Sequence, residues 1–451
     1  MKTLKLITAI ALVAMMAACC GPNNPEPQPG PGPEPTPTDT TTTNPTDPKD
    51  TTGQTNPPTD TAVVVPPAPE VPAIDGTFLQ HWYTVYWDDA RWDSEMDVLK
   101  EAGMTYLIYT PIKDGDSSAD LTSLGRCLKS AKKHGIKVFV GPNYHGDWWS
   151  KGRDRTWLLA RMEEGKTVIT QILNNYKTEY KGTLYGWYWD WEIDNLNWNT
   201  DSAKQLFVDA INVILDAIPE DMPLIFSPFA NPLVGSAAAY GKFWKEVLPK
   251  MHFRAGDILS PQDCVGASTM TANTVKGWFY QYKEAVEAVE GLQLWANVET
   301  FEQFNLSDGS HFASAPLTRI VQQMEAITPF VSNIICFAYP HYQSPNNVRG
   351  QHHEAYRSYL ETGTLPTVGK PKAVSSANKQ VGSGVTLSWS LSVKDDADGF
   401  AIYKNSELYI KLQITPSKTP GSFNDSAGKS TDTYQIAVYN ILGEESGRAA
   451  F

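Results

Sequence analysis

The stretch Gly186-Trp187-Tyr188-Trp189-Asp190-Trp191-Glu192 is a run of large aromatic residues that ends in acidic ones. Its short length and apolar character favour a buried β-strand. Because successive side chains of a strand point to opposite faces, Tyr188, Asp190 and Glu192 share one face. The stretch therefore predicts a buried strand whose end presents two carboxyl groups, with Asp190 one layer beneath Glu192.

Similar apolar runs recur on both sides of this stretch, separated by segments with helical periodicity. One such segment places Leu121, Leu124 and Leu128 on a single helical face, and Gly135 follows as a helix-ending residue. Strands that alternate with helices are typical of a parallel β/α architecture, and eight such units close into a TIM barrel. We predict the strands at residues 77–82, 106–110, 137–141, 186–192, 224–228, 257–261, 292–298 and 333–339.

The N-terminus predicts export. Lys2 and Lys5 precede an apolar run and a small-residue pair before Cys19, so residues 1–19 form a signal peptide that is too short to span a membrane. The sequence Met16-Ala17-Ala18-Cys19 resembles the lipobox of bacterial lipoproteins, which implies lipidation of Cys19. We expect attachment to the bacterial cell envelope through that lipid only, on a membrane face that the sequence leaves open. Ordinary signal-peptide cleavage is the alternative.

Composition changes along the chain define the remaining segments. Residues 20–72 are rich in Pro and Thr and nearly free of aromatic residues, which predicts a disordered, extended linker. The barrel is expected at residues 73–366. Residues 369–451 show strand alternation instead of helical periodicity, as at Val385, Leu387 and Trp389. This last segment resembles a bacterial fibronectin type III module, which implies a small all-β sandwich.

Charge and cysteine content exclude several classes of function. The chain has 37 Lys and Arg against 50 Asp and Glu, and the resulting net charge of -13 argues against a nucleic-acid partner. Cys127, Cys264 and Cys336 are scattered without the spacing of a metal site. We expect a monomer with no disulfide framework, no metal and no cofactor.

Two glutamates end predicted strands of the barrel. Glu192 ends the fourth strand and Glu299 follows the seventh. TIM-barrel enzymes carry their active sites at the C-terminal ends of the strands, and a carboxylate that closes an apolar strand is costly unless it is paired or used. Glycoside hydrolysis needs two carboxyl groups, one to protonate the leaving oxygen and one to attack carbon or activate water. The pair therefore indicates a glycoside hydrolase that acts on a poly- or oligosaccharide.

The pair also resembles the catalytic pair of the retaining TIM-barrel glycosidases. That resemblance implies that Glu192 is the acid/base and Glu299 the nucleophile. Asp263 follows the sixth predicted strand and is a candidate for orienting a hydroxyl or tuning Glu299, with a simple turn acid as the alternative. Asp190 completes the set of candidate catalytic residues.

Aromatic and polar side chains at or after strand ends are candidates for substrate binding, because rings stack on the faces of sugars. For part of this set, barrel packing is the alternative. The candidates are Trp82, Tyr144, His145, Trp148, Trp189, Trp191, Trp295, Asn297, Tyr339 and His341.

The span 76–359 resembles a bacterial family, the domain of unknown function 4434, which is placed among the TIM-barrel glycosidases. The resemblance is carried by Gly186-Trp187-Tyr188, Glu192-Ile193-Asp194, Gln262-Asp263, Trp295-Ala296-Asn297-Val298-Glu299-Thr300-Phe301-Glu302 and His341-Tyr342-Gln343-Ser344-Pro345-Asn346. It implies site roles for Glu192, Asp263 and Glu299. It leaves Asp190 open, because the family varies there.

Three other hypotheses remain open at this point. Gly186, Asp190 and Glu192 also match part of the chitinase-type strand motif, in which the acetamido group of the substrate replaces the enzyme nucleophile; Tyr185 and Tyr188 depart from that motif. The second hypothesis is a glycan-binding lipoprotein without catalysis. The third is a protein-interaction scaffold, which the acid pair does not support.

Overall fold

A computed structural model describes residues 71–391, 393–394 and 396–451. The predicted signal peptide, Cys19 and nearly all of the predicted linker lie outside the described residues. Within the described ranges, helices of sufficient length and apolar character to cross a bilayer are absent.

Eight parallel strands form a closed barrel. Strand β1 (Gly76–Gln80) pairs with both β2 (Tyr106–Thr110) and β8 (Asn333–Phe337), which closes the ring. The predicted TIM barrel is confirmed, and each predicted strand overlaps an observed one. The barrel strands are β1 (Gly76–Gln80), β2 (Tyr106–Thr110), β3 (Lys137–Val140), β4 (Leu184–Trp189), β5 (Leu224–Phe226), β6 (Ile258–Leu259), β7 (Gln293–Glu299) and β8 (Asn333–Phe337).

Some predicted strands are too long at their C-terminal ends. Strand β4 ends at Trp189 because its partner β5 ends at the paired residue Phe226. Glu192 therefore lies in the loop after the strand, although the alternation of faces persists as far as this residue. Strand β8 likewise ends at Phe337, and Tyr339 begins a short helix.

The helices pack around the barrel, and several begin at a side-chain cap. Asp120, for example, accepts a hydrogen bond from the Ser123 amide, and Gly135 ends the same helix in the left-handed conformation. The helices are α1 (Asp89–Glu101), α2 (Leu121–His134), α3 (Trp148–Lys151), α4 (Arg155–Tyr176), α5 (Asp201–Leu215), α6 (Ala237–Val247), α7 (Ala272–Val286), α8 (Leu317–Ile327), α9 (Tyr339–Tyr342) and α10 (Gln351–Thr362).

Two small sheets extend the barrel beyond its C-terminal end. Lys113–Asp114 and Asn143–Tyr144 form a parallel pair after β2 and β3. Phe301–Leu306 and Gly309–Ser314 form an antiparallel hairpin directly after β7. We call this second element the β7 hairpin.

The inside of the barrel is a packed apolar layer. Inward-facing side chains from the strands, among them Phe78, Ile225 and Ile335, form one buried cluster. Trp295 lies in this layer, with its ring centroid 4.9 Å from that of Tyr106. Because apolar side chains of the described strands fill the barrel, no channel runs through this layer, and a site for a polar ligand can form only at an end of the barrel.

Two antiparallel sheets follow the barrel and share a core, so the predicted C-terminal β-sandwich is confirmed. Its likeness to fibronectin type III stays a prediction. The first sheet has the order β9 (Ser376–Val381), β10 (Val385–Ser390) and β13 (Ser422–Asp425). The second has the order β12 (Glu407–Gln413), β11 (Gly399–Lys404), β14 (Tyr434–Tyr439) and β15 (Ala449–Ala450). Trp389, Phe400 and Val438 lie in the common core.

We expect Trp295→Ala to lower the free energy of unfolding by about 3–5 kcal/mol, because it removes a large ring from the packed barrel interior. Urea denaturation measures the change. Tyr86→Ala is the matched control: this ring is 96% exposed, so its loss should change stability by less than about 0.5 kcal/mol. Equal effects of the two substitutions would contradict the position of Trp295.

Candidate active site

A cavity of about 140 Å³ lies at the C-terminal ends of the barrel strands. Residues from five barrel strands, the following loops and the β7 hairpin form its wall. The lining residues are Phe78, Gln80, Trp82, Thr110, Pro111, Tyr144, Trp149, Tyr188, Asp190, Glu192, Gln262, Ala267, Asn297, Glu299, Phe301, Gln303, Phe312 and Phe337.

Glu192 and Glu299 both line this cavity. Glu299 is the last residue of β7 and is 2% exposed, whereas Glu192 is partly exposed in the loop after β4. Tyr188 and Asp190 line the cavity as well, as the shared strand face predicts. The closed barrel thus brings two carboxyl groups from distant parts of the chain to one cavity.

Glu192 is held by a neighbouring amide. Gln262 donates a hydrogen bond from Nε2 to Glu192 Oε1 at 2.7 Å and another to the Ser227 carbonyl oxygen at 3.1 Å. Burial raises the pKa of Glu192 to about 7, and the hydrogen bond from Gln262 opposes that rise. Near neutral pH the group therefore exists in both protonation states, which suits a residue that donates and then accepts a proton.

Glu299 is fixed by the backbone of the loop after β6. The Ala267 amide donates to Glu299 Oε2 at 2.7 Å. A Cβ atom on Gly266 would lie 2.7 Å from the Glu299 Cβ, so only glycine allows the loop to approach this closely. Burial raises the pKa of Glu299, and the carboxyl group of Asp263 raises it further.

Asp263 does not line the cavity but lies behind Glu299. It is fully buried, and its Oδ1 accepts hydrogen bonds from the Glu299 amide at 3.2 Å and the Val265 amide at 3.1 Å. Gln323 donates to its second oxygen. Burial raises the pKa of Asp263. The bond from Val265 is that of a turn acid, and the bond from Glu299 is the contact expected of a residue that tunes Glu299, so both sequence interpretations of Asp263 remain predictions.

Asp190 lies in the cavity wall beside Thr110, whose hydroxyl donates to Asp190 Oδ1. Its Oδ2 has no hydrogen-bond partner among the described residues. Burial raises the pKa of Asp190 well above its usual range. A protonated carboxyl group here can donate a hydrogen bond as well as accept one.

Three predicted substrate-binding residues, Trp82, Tyr144 and Asn297, line the cavity. Asn297 donates from Nδ2 to the Ser227 hydroxyl at 3.0 Å, while its Oδ1 has no partner within the described chain. The indole nitrogens of Trp82 and Trp149 also lack partners there. Buried polar groups are normally paired, so these atoms are suited to bind the polar groups of a ligand.

Five other predicted substrate-binding rings have packing roles instead. Trp148 stacks on Trp198 with ring centroids 5.2 Å apart. Trp189 donates to the carbonyl oxygen of Trp191 at 2.6 Å, and both rings are buried outside the barrel wall. Trp295 lies in the barrel interior. The fifth, Tyr339, is fully buried and bonded to His353.

The two predicted histidines lie outside the cavity lining. His145 packs against Trp157 with ring centroids 5.8 Å apart. His341 pairs through Nε2 with Gln80 Oε1, and Gln80 lines the cavity. Burial lowers the pKa of His341 to about 3, so this ring stays neutral and orients Gln80 without adding charge.

Four features of the cavity wall were not predicted from the sequence: Gln262, Gln80, Thr110 and the β7 hairpin. Asp308-Gly309 between two alternating runs is a hairpin signal, so the hairpin was detectable in the sequence. Gln262 stood in a quoted motif, but only the fold places its side chain against Glu192.

Within the described part of the chain, groups of three or more His, Cys, Asp or Glu suited to a metal ion are absent. Cys127, Cys264 and Cys336 are buried free thiols.

We expect Glu192→Gln to raise the free energy of unfolding at pH 8 by about 1–3 kcal/mol. The pKa of Glu192 is about 7 in the folded chain, against 4.5 for an ordinary glutamate. As the pH rises from 4.5 to 7, the unfolded state ionises first, and the folded state therefore loses relative stability. Glutamine cannot ionise, so the gain should disappear as the pH falls to 4.5.

Urea denaturation at several pH values measures this difference. Glu407→Gln, on an exposed strand position of the sandwich, is the control and should show no such pH dependence. A Glu192→Gln variant that is less stable than the wild type at pH 8 would show that the carboxylate is favourably solvated or paired.

Comparison with known proteins supports the fold and identifies the family. Curated proteins give no match. A solved structure from Bacteroides thetaiotaomicron, described as a candidate α-L-fucosidase, matches with a TM-score of 0.55 and 20% identity over 65% of this chain and 97% of that chain. A family 39 glycoside hydrolase from Bacteroides cellulosilyticus matches with a TM-score of 0.42 and 12% identity over 82% and 81% of the two chains.

The first of these structures shares the barrel fold with this chain. The family described as "Domain of unknown function (DUF4434)" matches residues 74–349, which is more than half of the sequence. The family predicted from sequence motifs is thereby confirmed. Because this match covers more than half of the sequence, the chain belongs to the DUF4434 family.

Proposed function

We propose that this protein is a glycoside hydrolase of the bacterial cell envelope that cleaves an uncharged poly- or oligosaccharide. The observation that carries the proposal is that Glu192 and Glu299 line one cavity, each with its pKa raised by burial. Two carboxyl groups that face one cavity at the C-terminal ends of barrel strands are the groups that glycoside hydrolysis requires. The lipobox-like sequence before Cys19 supports attachment to the envelope through lipid.

In the proposed reaction, Glu192 donates its proton to the glycosidic oxygen while Glu299 attacks the anomeric carbon. The bond between that carbon and the glycosidic oxygen breaks, and the sugar becomes esterified to Glu299. Water then attacks the same carbon, gives its proton to Glu192 and releases Glu299. Two inversions at one carbon give net retention of configuration.

Glu299 must be ionised to attack. Burial and Asp263 raise its pKa, whereas the Ala267 amide and the Arg319 guanidinium lower it. Positive charge that develops on the sugar ring in the transition state also lowers the pKa of Glu299. The transition state therefore favours the ionised form of Glu299.

The charge of the cavity supports an uncharged sugar. None of the described residues that line the cavity is Lys, Arg or His, and three of them are carboxylic acids. An anionic sugar would meet carboxylates without a compensating cation. The rings of Trp82, Trp149 and Phe312 offer apolar faces for stacking. The likeness to a candidate α-L-fucosidase makes α-L-fucosides one class to test.

A substrate-assisted mechanism is the second candidate, and the position of Asp190 favours it. Asp190 lies in the cavity wall two residues before Glu192, where it could orient an acetamido group. Glu299 would then be dispensable for attack.

We expect Glu192→Gln and Glu299→Gln each to lower kcat/KM roughly 10²- to 10⁴-fold on the glycan that the wild type cleaves. An aryl glycoside with a good leaving group needs no proton from the enzyme. It should therefore restore much of the first step in Glu192→Gln but not in Glu299→Gln. Product analysis by mass spectrometry and proton NMR measures rate and anomeric configuration together.

Glu163→Gln, on an exposed helix position, is the control and should retain wild-type turnover. Full activity of Glu299→Gln, together with loss of activity in Asp190→Asn, would select the substrate-assisted mechanism. Wild-type activity in both Glu192→Gln and Glu299→Gln would contradict the proposed site.

We expect the purified protein to release products from neutral glycans and not from uronic-acid or sulfated glycans, because the cavity lining supplies no cation. A panel of plant, host and microbial glycans, analysed by mass spectrometry, tests this expectation. Preferential cleavage of an anionic glycan would contradict the assigned substrate class. Binding measured by calorimetry without product release would indicate a glycan-capture protein instead.

A further inference from the structure

The β7 hairpin lies between the cavity and the C-terminal sandwich. On its first strand, Phe301 and Gln303 line the cavity, whereas Phe304 and Leu306 pack against the sandwich core. This division follows from the alternation of side chains along a strand. A single strand thus connects the candidate active site to the second domain.

Strand β12 of the sandwich holds both strands of the hairpin. Lys411 Nζ lies 2.6 Å from Glu302 Oε2, in an ion pair whose side chains are 9% and 20% exposed. Gln413 Oε1 accepts hydrogen bonds from the Ser314 amide and hydroxyl, both at 2.8 Å. These contacts fix the hairpin at its beginning and at its end.

A second set of contacts reaches Glu299 through helix α8. Among the described residues, no side chain caps the N-terminus of this helix. Instead, the Leu317 amide donates to the Ile441 carbonyl oxygen at 2.9 Å, and the Thr318 hydroxyl donates to Leu442 at 2.8 Å. The sandwich therefore supplies an acceptor for one of the unpaired amides at the start of the helix, and a second contact through the Thr318 side chain.

The same helix holds the backbone of Glu299. Arg319 and Gln323 each donate a hydrogen bond to the Glu299 carbonyl oxygen at 3.1 Å. Arg319 also donates to the Phe301 carbonyl oxygen at the base of the hairpin. The start of α8 and the base of the hairpin are thus linked at the residue that the proposed mechanism uses as nucleophile.

Buried polar contacts fix how the sandwich sits on the barrel. His352 of helix α10 pairs with Asp398 at 2.9 Å, and the two side chains are 2% and 1% exposed. Gln413 Nε2 lies 3.2 Å from His352 Nε2, so the residue that holds Ser314 packs beside this pair. Unpaired polar groups in such a place are costly, which favours one docking geometry.

We propose that the C-terminal sandwich is a structural part of the active site, in which Lys411 and Gln413 act as positioning residues for the β7 hairpin. This role differs from that of a detachable spacer or an independent sugar-binding module. The positioning itself does not require hydrolysis. Its effect on turnover rests on the proposed function.

Hydrogen–deuterium exchange of the full chain tests the positioning directly. We expect Lys411→Met to increase the exchange rate of amides in residues 301–314 at least about tenfold, and Lys411→Arg to restore most of the protection. Glu302→Gln removes the same ion pair from the hairpin side and should act alike. It serves as the second variant if Lys411→Met folds poorly.

Lys404→Met is the matched control. Lys404 makes an ion pair of similar length, 2.7 Å to Asp425, but within the sandwich. It should change exchange in the sandwich and leave residues 301–314 protected. Wild-type exchange of the hairpin in both Lys411→Met and Glu302→Gln would overturn the proposal, whether or not the protein cleaves glycans.

The effect of the lost hairpin contact on catalysis is measured separately, by steady-state kinetics. On the glycan that the wild type cleaves, Lys411→Met should raise KM about fivefold or more with a smaller change in kcat, because Phe301, Gln303 and Phe312 line the cavity but transfer no proton. Lys404→Met should leave KM unchanged. Equal KM values in the two variants would overturn this part of the proposal.

Discussion

The closure of eight parallel strands around a solid apolar interior is the constraint on which the rest of the molecule depends. Because side chains such as Phe78 and Trp295 fill the barrel, polar groups on inward-facing strand positions reach space only at the C-terminal end. There Glu192 and Glu299 meet in one cavity with few polar partners. The loss of water raises the pKa of both groups. For Glu192 this rise suits proton transfer, whereas the Ala267 amide and Arg319 oppose it at Glu299.

Periodicity and strand-end acids were sufficient to predict the barrel, the appended sandwich and the two glutamates. They were insufficient to predict which aromatic side chains line the cavity. Alternation tells which face of a strand a side chain occupies, but not how far along the barrel it lies. Trp295, Asn297 and Glu299 share a face of β7, yet Trp295 lies in the interior layer and the other two in the cavity wall. Trp148 packs on Trp191 and Trp198 of the loop after β4, and Tyr339 packs against helix α10; both contacts are long-range.

The contacts between the barrel and the sandwich could not be predicted from the sequence either. Lys411 and Glu302 stand more than one hundred residues apart, and no local pattern joins them. In the structure they connect a sandwich strand to the hairpin that borders the cavity. The carbonyl oxygens of Ile441 and Leu442 accept hydrogen bonds from the start of the helix that holds Glu299. The barrel supplies the carboxyl groups, and the sandwich supplies part of the frame that orients them.

The central claim is that Glu299 is the nucleophile of a glycosidase whose acid is Glu192. Its most direct test is mass spectrometry of the protein after incubation with an activated 2-deoxy-2-fluoro glycoside of the sugar that the wild type releases. We expect a covalent glycosyl adduct on the peptide that contains Glu299, which accumulates because fluorine slows its hydrolysis. An adduct on another residue, or steady turnover of the parent glycoside with inverted product and no adduct, would contradict it.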